Sequence, residues 1–297
     1  MALFSTIDRF AVEGVATSNT LTRDWTFVPS KPWMGAFAHR LKAKLMERQP
    51  PPRRIVVRVP RPRRRWILYF MFLPDGQISP AHHFTLDRLA ALDAGLLVVC
   101  ALPNPDVVPI AVFDQVDALV LKTLPGYDFS AYAIGLAALA EHSPGCDVFV
   151  MNDSVFGPFA DLGREMDTAA WDFTGYTAYS LIENHIQSYA FILKNLDDAR
   201  LRTLRPVLPL DFVYDRYKDV VFQQETRLAR VASHGMSVGA KWYSHHRSNS
   251  EPTFFSALPL LDEGFPFLKK SLLHRNPGTY APGTIAAVLE AQGHPLP

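Results

Sequence analysis

A polar triplet, Asn152-Asp153-Ser154, follows directly on the apolar run DVFVM of residues 147–151. An acid and two hydrogen-bonding side chains at the carboxyl end of a buried strand are suited to coordinate a divalent metal ion or to bind a diphosphate. The same residue types are common turn formers, so a simple turn before the next helix is the alternative. The triplet is therefore the first candidate site, and Asp153 is its charged group.

A second loop repeats this arrangement in the sequence LPGYDFSAY of residues 124–132. Gly126 permits a tight turn, and Asp128 and Ser130 lie where the next helix begins. Asp128 is either a cap for that helix or a partner for a ribose hydroxyl or a base edge. The two loops together favour a site that binds a nucleotide.

A parallel sheet is the element that brings such loops together. Apolar runs of strand length occur at Trp66–Phe72, Leu96–Leu102, Ala118–Leu124 and Asp147–Met151. Helical patterns lie between the first and second of these runs and between the third and fourth, whereas the order after residue 170 is mixed. The alternation predicts an α/β fold, in which a mostly parallel central sheet is flanked by helices. Ligands of such sheets bind beyond the carboxyl ends of the strands.

Composition excludes several classes of protein. The chain has 297 residues, of which 48% are hydrophobic and 20% are charged, so wholesale disorder is excluded. Cys100 and Cys146 lie in or beside apolar runs, which predicts buried thiols in a reducing compartment rather than a disulfide framework. The first residues do not resemble a secretory signal, and no run of about 18 apolar residues predicts a membrane-spanning helix.

The charge is distributed unevenly. Residues 40–65 carry eleven Lys or Arg and one acid, so this segment is +10, whereas the whole chain is +1 and the remainder is −9. Five prolines exclude a regular helix or central strand from its second half. We therefore predict a basic, proline-rich extension over residues 1–65 and a globular domain over residues 66–297, which is expected to stay soluble without the extension.

The basic segment has three interpretations. It is a solvated extension, or a membrane-surface anchor, or a site for nucleic acid. Phe37, Leu41 and Leu45 are spaced as on one face of a short helix that basic residues flank, which suits an anionic lipid surface. Nucleic acid is disfavoured, because no binding motif accompanies the patch and the rest of the chain is acidic.

Four segments in order resemble the rhamnan synthesis protein F family. They are GYDFSAYAIGL, VFVMNDSVFGPF, DFTGYT and HIQSYAFILK, followed by QQETRLARVASHG and PFLKKSLL, and the resemblance covers roughly Trp66 to Asn276. The chain departs from the family pattern twice: Phe72-Leu73-Pro74 lies where a His is expected near the Asp75 turn, and KTLPGYDF lacks an expected Arg and Asn. These departures put contacts to the nucleotide in doubt.

The resemblance implies a bacterial glycosyltransferase of cell-surface polysaccharide assembly, with a glycosyltransferase A-like nucleotide-sugar fold. The donor is then a nucleotide diphosphate sugar, with rhamnose as one candidate sugar, and the acceptor is a growing polysaccharide or lipid-linked glycan. Asp153 would organise the diphosphate, directly or through Mg²⁺ or Mn²⁺. The donor-binding residues implied are Gly126, Asp128, Asn152, Asp153, Ser154 and Lys269. For Lys269 the alternative is a surface lysine.

Catalysis also needs a base for the acceptor hydroxyl, and Glu225 and Asp172 are the candidates. Glu225 is predicted to begin a helix, so a simple helix-start acid is the alternative. Asp172 is predicted at a strand end, where turn or strand hydrogen bonding is the alternative. His185, Gln187 and Ser188 precede an apolar strand and are candidates for binding sugar hydroxyls.

Two other classes of function stay open. A non-catalytic polysaccharide-assembly or glycan-binding module is favoured by the single acid in the triplet. A glycoside hydrolase needs two facing carboxylates, for which Asp153 and Glu225 are available. The expected location is cytoplasmic, with peripheral binding to the inner face of the cell membrane.

Overall fold

The centre of the molecule is a ten-stranded sheet. The computed structural model describes residues 21–108, 114–244, 251–275 and 277–296. The strands of the sheet are β1 (Leu21–Thr26), β3 (Arg54–Arg58), β4 (Arg65–Phe72), β5 (Gly95–Leu102), β6 (Ala118–Thr123), β7 (Cys146–Asn152), β9 (Phe173–Ser180), β10 (Asn184–Ile186), β11 (Ala190–Leu196) and β13 (Val238–Ser244). Two short pairs lie outside it: β2 (Arg48–Gln49) with β12 (Val213–Tyr214), and β8 (Val155–Phe156) with β14 (Leu268–Lys269).

The sheet has the order β1-β13-β9-β11-β7-β4-β5-β6-β3, and β10 pairs with β9. Strand β4 is parallel to β5 and β7, β5 to β6, and β13 to β9. Strand β11 is antiparallel to both β7 and β9, so the strands on its two sides run in the same direction. The predicted α/β fold with a mostly parallel central sheet is confirmed.

Helices cover both faces of the sheet. They are α1 (Met34–Met46), α2 (Pro80–Ala90), α3 (Tyr127–His142), α4 (Leu162–Asp167), α5 (Asp198–Leu204), α6 (Tyr217–Val220), α7 (Thr226–Ala232), α8 (Pro252–Phe255), α9 (Ala257–Asp262), α10 (Ser271–His274) and α11 (Thr284–Ala291). A π-helical turn, Val221–Glu225, joins α6 to α7. No helix in the described ranges has both the length and the apolar character needed to cross a bilayer.

Alternating residues of β4 divide the core between the two faces. Leu68 packs in the cluster that includes Tyr132 of α3, whereas Ile67 packs in the cluster that includes Leu86 of α2. Side chains along a strand point to opposite faces, so a strand covered on both sides is apolar throughout. Cys100 and Cys146 are free and buried, as the sequence predicts.

Helix α2 begins earlier than the sequence pattern indicates. The pattern FTLDRLAALDAG on its own predicts a cap at Thr85, but the helix begins at Pro80 and is capped by Ser79, whose side chain accepts the N–H of His82. Thr85 is instead buried and donates to the carbonyl of Gly157 at 2.7 Å. A proline at the first helical position after a serine cap is the stronger start signal.

Strands from residues 21–65 are built into the sheet, which corrects the predicted boundary at residue 65, whereas residues 1–20 of the predicted extension lie outside the described residues. Strand β1 pairs antiparallel with β13 at one edge, and β3 pairs antiparallel with β6 at the other. Prolines do not prevent this, because they flank β3 and an edge strand needs only one partner. The helix predicted from Phe37, Leu41 and Leu45 is present as α1.

Candidate functional site

A cavity of about 940 Å³ opens at the carboxyl edge of the sheet. Phe72, Asn152 and Tyr179, which lie at the ends of β4, β7 and β9, contribute to its wall. Parallel strands end at the same edge, and a cavity of this size at such an edge is a common binding site. The structure therefore brings together the loops after β6 and β7 that the sequence singles out.

Gly126 shapes the loop after β6. Its φ is +93°, and a Cβ atom there would lie 2.7 Å from Cγ1 of Val213 and 2.8 Å from Cβ of Ser130. Its N–H donates to Oδ1 of Asp215 at 2.9 Å. The left-handed backbone and the close approach both require glycine. Gly126 thus lets the chain turn into α3 beside the cavity.

Asp128 lies in the first turn of α3 and lines the cavity. Its Oδ1 accepts the N–H of Phe129 at 3.0 Å, and its Oδ2 accepts Nδ2 of Asn152 at 2.8 Å. Burial and the charge of Glu225 raise the pKa of Asp128 to about 6, although both hydrogen bonds oppose the shift. Asp128 therefore links the two predicted loops and titrates close to neutral pH.

The triplet Asn152-Asp153-Ser154 forms a turn that also lines the cavity. Oδ1 of Asn152 accepts the N–H of Ser154 at 3.0 Å and its hydroxyl at 2.6 Å. Oδ2 of Asp153 accepts the N–H of Phe72 at 2.8 Å and lies 3.1 Å from Nε2 of His82. Asp153 consequently ties the end of β4 to α2 as well as facing the cavity.

Glu225 lines the cavity, but it does not begin a helix as predicted. It ends the π-helical turn between α6 and α7, so the favourable field of a helix amino terminus does not apply to it. Its Oε1 accepts the N–H of Ser188 at 3.1 Å and the hydroxyl of Ser188 at 3.0 Å. π-Helical turns inside helices are frequent at functional sites.

Gln187 holds a further acid, Glu251, which the sequence interpretation did not include. Oε1 of Gln187 accepts the hydroxyl of Thr177 at 2.7 Å, and its Nε2 donates to Oε1 of Glu251 at 2.8 Å. The hydroxyl of Thr253 donates to the same oxygen at 2.9 Å, and burial raises the pKa of Glu251. Both ends of the Gln187 amide are therefore used to position protein groups.

Lys269 is brought to the triplet by the pairing of β14 with β8. Its Nζ lies 3.3 Å from the hydroxyl of Ser154. Burial lowers its pKa, against the opposing charges of Glu251, Glu225 and Asp128. The lysine thus lies among the acids of the cavity rather than at the surface.

Three more basic residues line the cavity next to Lys269, namely Lys270, His274 and Arg275. Burial lowers the pKa of Lys270, and the charge of Asp153 opposes that shift. The N–H of Lys270 donates to the carbonyl of Ser154 at 3.0 Å, which fixes this wall to the triplet. A cluster of cations of this kind can offset the charge of a diphosphate.

Asp172 does not belong to the cavity, which corrects its prediction as a base. It immediately precedes β9, whereas the cavity contains Tyr179, seven positions along the chain and so about 23 Å away in an extended strand. Asp172 pairs with Arg200 at 2.8 Å and accepts the N–H and hydroxyl of Ser237 at 2.9 and 2.7 Å. Partial burial would raise its pKa, but these partners lower it to about 2.

His185 is also outside the cavity wall. The residue is 2% exposed, and its Nδ1 donates to the carbonyl of Glu183 at 2.9 Å. Its ring packs on Tyr179 at 4.4 Å between centroids, and burial lowers its pKa to about 4. His185 therefore packs against Tyr179 in the protein interior. The prediction that it contacts a sugar hydroxyl is wrong, because it does not line the cavity. Ser188 does line the cavity, where it holds Glu225.

His82 and Lys122 contact residues that line the cavity, although the sequence interpretation gave neither of them a role in the site. Nδ1 of His82 accepts the N–H of Ser79, so its Nε2 carries the proton and donates to Asp153. Nζ of Lys122 donates to the carbonyls of Thr123 and Pro125 at 2.9 and 3.0 Å. Burial lowers the pKa of Lys122 to about 7. A lysine at the end of an apolar strand is the sequence signal for this role, because its ammonium group can donate hydrogen bonds to the backbone carbonyls of the loop before Gly126.

A divalent cation at Asp153 would need several oxygen ligands. Within the part of the chain that the structure describes, no group of three or more His, Cys, Asp or Glu is arranged to hold a metal ion. One oxygen of Asp153 is already shared by Phe72 and His82. Dependence on Mg²⁺ or Mn²⁺ stays a prediction.

Comparison with protein families matches residues 106–294 to the family described as rhamnan synthesis protein F. This range is more than half of the chain, and it contains every site residue that the sequence singles out. A comparison with curated proteins gave no match.

Distant likenesses exist among solved structures. The chain is similar to S. aureus TarS, with 12% identity and a TM-score of 0.35 over 66% of this chain and 38% of the TarS chain, so it spans well under half of that protein. A structure of TarS 1-349 gives 13% identity and a TM-score of 0.35 over 65% of this chain and 62% of that one. The 4-diphosphocytidyl-2C-methyl-D-erythritol synthase of Anaerococcus prevotii gives 11% identity and a TM-score of 0.35, over 67% of this chain and 96% of that one.

Proposed function

Because this chain belongs to the rhamnan synthesis protein F family, we propose that it is a glycosyltransferase of polysaccharide synthesis. It transfers a sugar, with rhamnose as one candidate, from a nucleotide diphosphate sugar to a growing cell-surface polysaccharide or lipid-linked glycan. One observation carries the proposal: a single cavity at the carboxyl edge of the sheet holds both carboxylates and a group of cations. These are the two kinds of group that glycosyl transfer requires.

The cationic wall receives the diphosphate of the donor. Lys269, Lys270 and Arg275 supply positive charge where the leaving group becomes more negative, which lowers the barrier to its departure. Ser154, the last residue of the triplet, contacts both lysines: its hydroxyl oxygen accepts Nζ of Lys269, and its carbonyl accepts the N–H of Lys270. Asp153 lies beside this wall, where hydrogen bonds from Phe72 of β4 and His82 of α2 hold its carboxylate. This supporting role does not depend on a metal.

The loop after β6 receives the nucleoside. Gly126 lets the chain turn tightly against Val213 and Ser130, which places Asp128 at the cavity, where Asp128 offers a carboxylate for a hydroxyl or a base edge. The cavity is large enough for a nucleotide diphosphate sugar, since binding sites for small molecules commonly measure about 300–1,000 Å³.

Glu225 is the base that we assign to the acceptor. Its carboxylate takes the proton of the acceptor hydroxyl while the acceptor oxygen bonds to the anomeric carbon. The bond between that carbon and the diphosphate oxygen breaks, and the diphosphate leaves with the electron pair. Ser188 holds the carboxylate in place with two hydrogen bonds. Glu251 is the other glutamate among the residues that line the cavity and is the control for this assignment.

Donor binding is tested with a thermal-shift screen of nucleotide diphosphate sugars, each with and without Mg²⁺ or Mn²⁺. A true donor at 100 times its dissociation constant stabilises the protein by about 2.7 kcal/mol. Transfer is then measured with the stabilising donor and an oligosaccharide acceptor. If a donor raises the melting temperature only when Mg²⁺ or Mn²⁺ is present, this would support the prediction that a divalent cation takes part in donor binding.

Other outcomes separate the alternative classes. Cleavage of an oligosaccharide without binding of any donor would replace the transferase by a glycoside hydrolase. Oligosaccharide binding with neither donor binding nor cleavage would favour a glycan-binding module. The hydrolase is the weaker alternative, because a sheet with parallel strands and an acid in the loop after β7 fits nucleotide binding better.

A further inference from the structure

Helix α1 turns a row of large apolar side chains toward solvent. Met34, Phe37, Leu41 and Leu45 are 88%, 69%, 50% and 74% exposed. At about 100° per residue these four positions fall within an arc of about 80°. The buried alanines Ala36 and Ala43 lie on the opposite side of the helix and pack against the body of the protein. We call the exposed row the α1 apolar face.

The helix is firmly attached, so this face cannot turn inward. Nε2 of His39 lies 2.9 Å from Oδ1 of Asp219. Arg40 donates to the carbonyl of Phe222 at 2.8 Å, and its guanidinium also pairs with the buried side chain of Glu183. These contacts are made on the buried side of α1, so the outward orientation of the apolar face is a fixed property of the fold.

The apolar surface continues beyond the helix. Trp33, at the cap position, is 62% exposed, and its N–H donates to the carbonyl of Ile182 at 3.1 Å. Leu181, the neighbour of Ile182, is 61% exposed. A tryptophan at the end of an apolar face is typical of the boundary between membrane and water.

Charge decides what covers the face. Lys42 and Lys44 are exposed and lie on either flank of the apolar row, and α1 contains no acid. Lys31 and Arg48 are exposed just beyond its two ends. A second copy of the chain would bring the same cations against one another, whereas anionic lipid complements both the charges and the apolar row.

We propose that α1 lies in the surface of an anionic bilayer, with Phe37, Leu41 and Leu45 inserted among the lipids and Lys42 and Lys44 at the headgroups. The helix packs on the π-helical turn that ends at Glu225. Docking would therefore hold the helical segment that carries Glu225 close to the membrane surface. The use of this position to meet a lipid-linked acceptor rests on the proposed function, but the docking itself does not.

The test is co-sedimentation of the full chain with vesicles of phosphatidylcholine, with and without phosphatidylglycerol. No sugar nucleotide is present, so failure of the proposed transferase would leave the result unchanged. We expect binding to the anionic vesicles that weakens in high salt, since the Debye length falls from about 10 Å at 0.1 M to about 3 Å at 1 M.

Two sets of variants locate the contact. The triple variant F37S/L41S/L45S should bind at least about tenfold more weakly, because burial of one large apolar side chain already corresponds to about that factor. The double variant K42Q/K44Q should lose about fivefold per lysine, the factor that corresponds to about 1 kcal/mol. The variant L296S changes a residue that is 55% exposed outside the face and should bind like the wild type.

All of these positions are exposed, and equal melting temperatures will verify the fold of each variant. Unchanged binding by the triple variant, or no preference for anionic vesicles, would overturn the proposal. A wild-type dimer that the triple variant converts to a monomer without vesicles would also overturn it and assign the face to a second copy.

Discussion

Ser188 gives two hydrogen bonds to one oxygen of Glu225, from its N–H at 3.1 Å and from its hydroxyl at 3.0 Å. Two donors on Oε1 hold the carboxylate in a single orientation at the cavity wall. The residue that the sequence suggested for sugar binding is thus a positioning residue for the proposed base. Because the carboxylate is already oriented, no conformational entropy has to be lost to orient the base during the reaction.

Replacement of Glu225 by Gln should separate chemistry from binding. Glutamine keeps an oxygen for Ser188 but cannot accept the acceptor proton, so we expect kcat to fall by about 10²- to 10⁴-fold while donor affinity changes little. Single-turnover transfer and donor titration measure the two effects. Glu251→Gln is the matched control within the same cavity, and a loss of turnover in that variant alone would move the base to Glu251.

Asp172→Asn should weaken the fold and leave the reaction intact. The change removes the ion pair with Arg200 and weakens two bonds from Ser237, so the free energy of unfolding should fall by about 1–3 kcal/mol. Because the folded pKa of about 2 lies below the unfolded value, the stabilisation is present above about pH 4 and is lost as the pH falls toward 2. Urea unfolding at several pH values measures this, and a large fall in kcat of the folded variant would contradict it.

Asp128 should give the opposite dependence on pH. Its folded pKa of about 6 lies above the unfolded value, so the folded state binds more protons and stability falls as the pH rises from about 4 to about 6. Asp128→Asn should flatten this part of the curve, by up to roughly 2 kcal/mol. Unfolding of the variant and wild type across this range is the measurement. Parallel curves would show that the carboxyl is not perturbed.

Gly126→Ala should destabilise the protein more than Gly76→Ala. Both residues have positive φ, at +93° and +75°, so each pays the left-handed strain of about 1 kcal/mol. Only at Gly126 would the new methyl group meet other atoms, with Val213 at 2.7 Å, whereas nothing lies within 4 Å at Gly76. We also expect weaker donor binding in Gly126→Ala. If both variants lose the same unfolding free energy, the close contact with Val213 at Gly126 does not contribute to stability.

The central sheet could be predicted because its strands are covered on both faces and are therefore continuous apolar runs. Trp66–Phe72 corresponds to β4 within one residue, and Leu96–Leu102 to β5. The edge strands β1 and β3 could not: β1 is half-exposed and mostly polar, and the prolines that flank β3 indicated an irregular segment although its centre, Ile55–Val57, is apolar and β-branched.

The site divides in the same way. Asp128 and Asp153 could be located because they follow predicted strands directly, and topology then brings their loops to one edge. Glu251 and Lys270 lie in irregular segments, and tertiary packing alone carries them to the cavity. Asp172 precedes its strand, and the direction of β9 relative to β7, which no local pattern encodes, places it at the far edge.

Strands β1 and β3 close the two outer edges of the sheet, and both come from the stretch before residue 65. A chain shortened to residues 66–297 would leave β13 and β6 with unpaired N–H and C=O groups, and β6 begins with the apolar run Ala118–Leu121. Such edges are templates for strands of other molecules, so the shortened chain should aggregate instead of staying soluble. Light scattering after refolding tests this, and a stable monomer would contradict it. Residues 21–65 therefore protect the protein from misassembly, in addition to carrying the basic segment.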